Sequence, residues 1–140
     1  MKVSDLMSNS VISVAPDTSA AAAAKLLAKH NIGSVPVVGG DGRIRGIVTD
    51  RDIVTRCIAY DNNPFDMPVS EIMTRGVLGV SPDADIREAT KLMSSEQVRR
   101  LPVIDNGKII GVISLGDMAQ SNAYQLEISK ALTEISMPEK

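Results

Sequence analysis

Two stretches of the chain repeat each other, and that repetition limits the folds open to it more than any other feature. VSDLM at Val3–Met7 returns as VSEIM at Val69–Met73, and VISVAPD at Val11–Asp17 returns as VLGVSPD at Val77–Asp83. AKLL at Ala24–Leu27 is matched by TKLM at Thr90–Met93, and SVPVV at Ser34–Val38 by RLPVI at Arg100–Ile104. These pairs share one offset, which drops by a single residue where the turn GGDG faces DNG. The new offset holds through GIVTDRD at Gly46–Asp52 and GVISLGD at Gly111–Asp117. Self-similarity sustained through this many segments marks a duplicated structural unit. The chain divides into a first copy at 1–60, a linker at 61–68, a second copy at 69–122 and a tail at 123–140.

Both copies predict the same order of elements. A short strand (Val11–Val14, Leu78–Val80) meets a Pro-Asp turn and then a helix. The first of these helices, Ser19–His30, is rich in Ala and turns Leu26 and Leu27 inward. Its counterpart, Asp85–Glu96, sets Ile86, Ala89 and Met93 on one face, with Asp85 and Glu88 placed for a capping box. Two apolar strands follow around a tight turn: Val35–Val38 with Arg43–Thr49, and Leu101–Ile104 with Lys108–Ser114. Gly-rich turn chemistry, GGDG at Gly39–Gly42 included, marks both as hairpins. A second helix closes each copy, Asp50–Ala59 and Leu115–Ala123. The predicted unit is β-α-β-β-α, so the chain is α/β. Pro64 and Pro68 make the linker a helix-breaking joint. In the tail, Tyr124, Ile128, Leu132 and Ile135 give an additional helix one apolar face, which must pack on its own body or on a second subunit.

Composition narrows the function classes. Hydrophobic residues make up 44% of the chain and aromatics only 2%, so the core must be aliphatic. A net charge of −2 gives no general attraction to nucleic acid or to an anionic membrane. The single cysteine, Cys57, excludes a disulfide framework and a Cys-based zinc site. No apolar run is long enough to span a bilayer and Met1–Pro16 carries no signal-peptide pattern, which leads to the expectation of a cytoplasmic protein.

The repeated hydroxyl-x-x-Asp, Thr49 to Asp52 and Ser114 to Asp117, supports two readings. Each pair stands where a strand ends and a helix begins, and a hydroxyl with an acid three residues on forms a capping box. The same corner also suits a nucleotide. The helix start offers free N–H groups to phosphate, and a carboxylate can accept both hydroxyls of a ribose. Duplication favours the second reading, because two such corners meeting in one cleft are a natural place for a small molecule.

The repeated unit resembles the cystathionine-β-synthase-type regulatory domain, the CBS domain. The resemblance rests on the Val-Pro-Val and Leu-Pro-Val segments, on GIVTDRD with GVISLGD, and on QVRRLPVID at Gln97–Asp105. Two copies in tandem resemble a Bateman module over about residues 1–122, and the layout with its tail is similar to small bacterial stand-alone pairs. The resemblance implies two βαββα repeats related by a pseudo-two-fold axis, their sheets packed together, and a homodimer of such modules. It implies adenosine-containing ligands (AMP, ADP, ATP, NAD(H) or S-adenosylmethionine), with no cofactor required. Asp52 and Asp117 would then hold ribose, and Thr49 and Ser114 ribose or phosphate. Ile12, Ile32 and Val35, or Leu78, Val98 and Leu101, would lie against adenine. Arg100 falls at a phosphate-binding position. Arg51 is placed to reach a phosphate, whereas its counterpart Gly116 is not, so the two sites should differ in affinity. The implied role is a sensor that signals to a regulated protein partner. The rival reading is a ligand-free interaction module whose boxes are only caps.

The remaining candidates read as structural. His30 is a cation at a helix C-terminus, and Cys57 a small core or interface residue. The methionines are mostly core filler, although Met7 and Met73 stand at matched positions suited to lining the clefts. Arg99 and Arg100 alone do not make a nucleic-acid surface. No nucleophile, metal set or paired acid and base stands out, and no enzymatic role is expected.

Overall fold

A computed structural model describes residues 1–76, 79–119 and 132–136. Its elements follow the sequence closely. The short helix α1 (Val3–Leu6) precedes α2 (Ala20–His30), and β1 (Ser34–Val38) and β2 (Ile44–Thr49) form an antiparallel hairpin. An irregular helix, α3, runs from Asp50 to Tyr60. The second half supplies α4 (Ile86–Glu96), the hairpin β3 (Arg100–Asp105) and β4 (Lys108–Ser114), and α5 (Leu115–Ala119). Local chemistry sets the ends. The Ser19 hydroxyl accepts the Ala22 N–H at 3.1 Å and starts α2. Asn106 and Gly107 both take positive φ, which gives the second hairpin its tight turn. The capping box predicted for Asp85 and Glu88 is a plain N-cap instead: the Asp85 carboxylate accepts the Arg87 N–H at 3.0 Å.

Two predicted elements differ. The short first strands shrink to single bridging residues, Val14 beside Val37 and Val80 beside Val103, both parallel. Val14 N–H donates to the Pro36 carbonyl at 3.0 Å and accepts from Val38 N–H at 2.8 Å, and Val80 repeats this with Pro102 and Ile104. A parallel ladder would continue through the N–H groups of residues 16 and 36, and of 82 and 102. All four are proline, so neither ladder has a next donor. The helix predicted as Asp50–Ala59 opens into a π turn over Ile53–Cys57 and tightens to a 3-10 turn over Ile58–Tyr60. The Thr55 hydroxyl occupies the Arg51 carbonyl at 2.8 Å, the acceptor that a regular helix needs at that point.

The chain forms two compact units, and they are not the two copies. The first unit is Ile12–Val77; the second joins Met1–Val11 to Leu78–Lys140. The leader of each copy, 1–11 in the first and 67–76 in the second (the end of the linker included), therefore lies on the body of the other. Val69, from the second copy's leader, is fully buried in the first core with Val35, Val37, Val48 and Ile72. Val3, from the first copy's leader, is fully buried in the second core with Ile86, Met93, Val103 and Ile113. Leader carbonyls also take the first helical N–H groups, Met67 that of Ala20 at 2.7 Å and Met1 that of Ile86 at 3.1 Å. Each leader then crosses the hairpin as an extra edge, Thr74 beside Ile47 and Ser8 beside Val112. Glycine is required at the crossing: a Cβ on Gly46 would stand 2.7 Å from the Thr74 carbonyl oxygen, and one on Gly111 2.8 Å from that of Ser8.

Leu27 and the predicted face of α4 (Ile86, Ala89, Met93) are buried, and Leu26 is partly so. Cys57 has no exposed surface, and its thiol lies 3.7 Å from the Asn62 carbonyl. Of the predicted tail helix, Tyr124 and Ile128 lie outside the described residues. Ile135 packs partly buried against the second core, and the Gln97 amide donates to the Glu134 carbonyl at 3.4 Å. The tail thus packs, at this end, on its own body.

Candidate functional site

The hydroxyl and the acid of each repeated corner are brought together by the strand-to-helix step. In the first unit, Asp52 N–H donates to the Thr49 hydroxyl and Thr49 N–H to Asp52 Oδ2, both at 3.0 Å. In the second, Asp117 N–H donates to the Ser114 hydroxyl at 3.1 Å and Ser114 N–H to Asp117 Oδ2 at 3.0 Å. Both capping boxes are formed. They use one carboxylate oxygen each, so the second oxygen decides what else the corner can do.

The two corners part at that second oxygen. Asp52 is only 6% exposed. The Thr74 hydroxyl lies 3.4 Å from both of its oxygens, and Arg56 Nε lies 3.7 Å from Oδ1. Thr74 reaches it because the exchanged leader runs beside β2. At the matching place in the second unit the residue is Ser8, and its hydroxyl turns to the Ser10 N–H at 3.2 Å instead. Asp117 is half-buried, and among the described residues its Oδ1 has no partner.

Arg100 stands directly across the hairpin from Ser114, as Ser34 stands across from Thr49. Arg100 is exposed, and its guanidinium has no partner among the described residues. Ser114, Asp117 and Arg100 thus gather a hydroxyl, an open carboxylate oxygen and a cation around one strand end. Arg51 is exposed on α3. Of the apolar residues predicted to meet adenine, Val35 and Leu101 are core residues at 0% and 2% exposure. Ile12 and Ile32 are partly buried, Val98 is exposed, and Leu78 lies outside the described residues. Met7 and Met73, in the leaders just before the crossing residues, pack against Gly111 and Gly46. Sequence reasoning missed Thr74 and Arg56. Arg56 had a signal, its i,i+4 spacing from Asp52; Thr74 had none, because its approach depends on the leader exchange.

Among the described residues no three or more His, Cys, Asp or Glu side chains converge as a metal site, and no helix is long and apolar enough to cross a membrane. The description of the CBS domain matches residues 3–58 and again 69–123. The chain belongs to the CBS domain family. It is 37% identical over 134 residues to the CBS domain-containing protein YhcV of Bacillus subtilis (strain 168), covering 96% of this chain and 94% of that one. Among solved structures it is similar to Hypoxic Response Protein I with two coordinated zinc ions: TM-score 0.77, 32% identity, 86% of this chain and 98% of that one. It is also similar to the CBS domain pair of protein MJ0100 in complex with 5′-methylthioadenosine and S-adenosyl-L-methionine. That match has a TM-score of 0.71 and 30% identity, over 86% of this chain and 94% of that one.

Proposed function

We propose that this CBS pair is a regulatory sensor that binds an adenosine-containing ligand at the Ser114–Asp117 corner. The observation that carries the reading is the Oδ1 of Asp117 beside Ser114 and Arg100, with no partner for that oxygen or for the guanidinium among the described residues. In this reading Asp117 accepts the ribose hydroxyls, Ser114 binds ribose or phosphate, and Arg100 receives a phosphate where the ligand has one. Val98 lies against adenine. Thr49 and Asp52 form the weaker or empty corner, because Thr74 and Arg56 already stand at the carboxylate. The adenosyl ligands held by the related MJ0100 pair support the ligand class, with AMP, ADP, ATP, NAD(H) and S-adenosylmethionine as the candidates. Signalling follows from population shift: a ligand that binds one arrangement of the protein better drives the protein toward it, and a regulated protein partner reads the change. A homodimer is part of the proposal. Val54 and Ile58, one turn apart on α3, are 58% and 49% exposed and give a second copy an apolar face to cover.

A thermal-shift panel with AMP, ADP, ATP, NADH and S-adenosylmethionine tests the reading, with Asp117→Ala alongside. A rise in melting temperature with one ligand, absent in Asp117→Ala, is expected. No rise with any of them sinks it and leaves the ligand-free interaction module, for which both formed capping boxes already provide a complete structural role.

A further inference from the structure

In the first unit an open pocket of about 540 Å³ is lined by Arg56, Ser70, Glu71, Met73 and Arg75, a size in the range of small-molecule sites. Arg56 is fixed in place: Nη1 donates to the carbonyls of Ile72 and Met73 at 3.3 Å each, and its charge is matched by Asp52 at 3.7 Å. Glu71 and Arg75 are both exposed. Among the described residues neither side chain has a hydrogen-bond or ion-pair partner, although they line one pocket. The pocket therefore presents one uncommitted cation, one uncommitted anion, the Ser70 hydroxyl and the thioether of Met73.

That balance of charge selects the ligand. A phosphate would gain from Arg75 and be repelled by Glu71. An α-amino-acid group satisfies both, carboxylate to guanidinium and ammonium to carboxylate. The arrangement is not a by-product of the duplication. The positions matching Glu71, Arg75 and Arg56 are Asp5, Asn9 and Ser121, and the Asp5 carboxylate already accepts the Lys2 N–H at 2.9 Å.

We infer that this pocket binds an α-amino-acid group, its carboxylate at Arg75 and its ammonium at Glu71. The group has two possible sources: a free L-amino acid, or the amino-acid end of an adenosyl ligand whose ribose displaces Thr74 from Asp52. The second source rests on the adenosyl class proposed above and uses the weaker Thr49–Asp52 corner; the first does not.

Isothermal titration of the whole protein with L-methionine, S-adenosylmethionine, 5′-methylthioadenosine and inorganic phosphate separates them, repeated on Glu71→Gln and Arg75→Gln. Both residues are exposed, so both variants should keep the parent melting temperature. The expected result is binding of L-methionine, or of S-adenosylmethionine over 5′-methylthioadenosine, weakened about tenfold or more by each substitution. Glu71→Gln carries the sign, since it weakens an amino-acid ligand and strengthens a phosphate. Phosphate binding that Glu71→Gln improves, or equal binding of the two adenosyl compounds with none of L-methionine, overturns the inference. The equal-binding outcome leaves the adenosyl reading standing. L-methionine binding with neither adenosyl compound bound supports the pocket and removes S-adenosylmethionine from the ligands of the adenosyl reading.

Discussion

The two strand-to-helix corners began as near copies and now hold their acids differently. Both Asp52 and Asp117 cap a helix through Oδ2. Asp52 also has the Thr74 hydroxyl and the Arg56 guanidinium beside it, while Asp117 has Oδ1 open among the described residues. The motif is therefore shared and the availability is not. A hydroxyl-x-x-Asp at a helix start reports a cap; whether it also reports a binding site depends on what stands against the other oxygen.

The largest expected effect is on ligand stabilisation. At a ligand concentration one hundred times the dissociation constant, wild-type protein should gain about 2.7 kcal/mol. Asp117→Ala should lose that gain in a ligand-dependent melt, and Asp52→Ala should retain it. The opposite pattern would break the comparison between the corners.

Next in size is the leader exchange. Val3→Ala and Val69→Ala each remove two methyl groups from a fully buried position and should cost about 2 kcal/mol in a denaturant melt. Native-state amide exchange gives the sharper outcome. Val3→Ala should loosen amides in 79–119, and Val69→Ala amides in 20–60, so that each change acts on the copy it does not belong to. Loosening confined to the neighbouring residues of the same copy would refute the exchange.

Without ligand, both Asp→Ala changes remove a cap, at about 1 kcal/mol each. Asp52→Ala should cost more by up to about 1 kcal/mol, because it also strips the half-exposed Arg56 of its partner. Equal costs by chemical denaturation would mean that the Arg56 and Thr74 contacts contribute nothing.

The smallest effect belongs to the first hairpin turn. The Asp41 carboxyl is held below its ordinary value by the Arg43 backbone N–H, helped by the charge of Arg45. Because its folded pKa is depressed, its contribution is present above the ordinary value and is lost as pH falls through the folded one. The stability difference between wild type and Asp41→Asn should vanish on acidification.

Much of this was written in the sequence. The constant offset announced the duplication, and Ser19, Asp85, Thr49 and Ser114 announced the helix starts through local hydrogen bonding. The apolar spacing of Ile86, Ala89 and Met93 announced the buried face of α4. The loss of the expected first strands went unread, although Pro16, Pro36, Pro82 and Pro102 remove the donors on either side of each bridge. Only the tertiary structure decided which leader covers which body. VSDLM and VSEIM carry the same apolar pattern, so either fits either core, and a one-dimensional pattern cannot choose between equal partners. That choice set Thr74 beside Asp52 and gathered Ser70, Glu71 and Arg75 around Arg56. It rests on contacts between residues far apart in the chain, which no local propensity encodes.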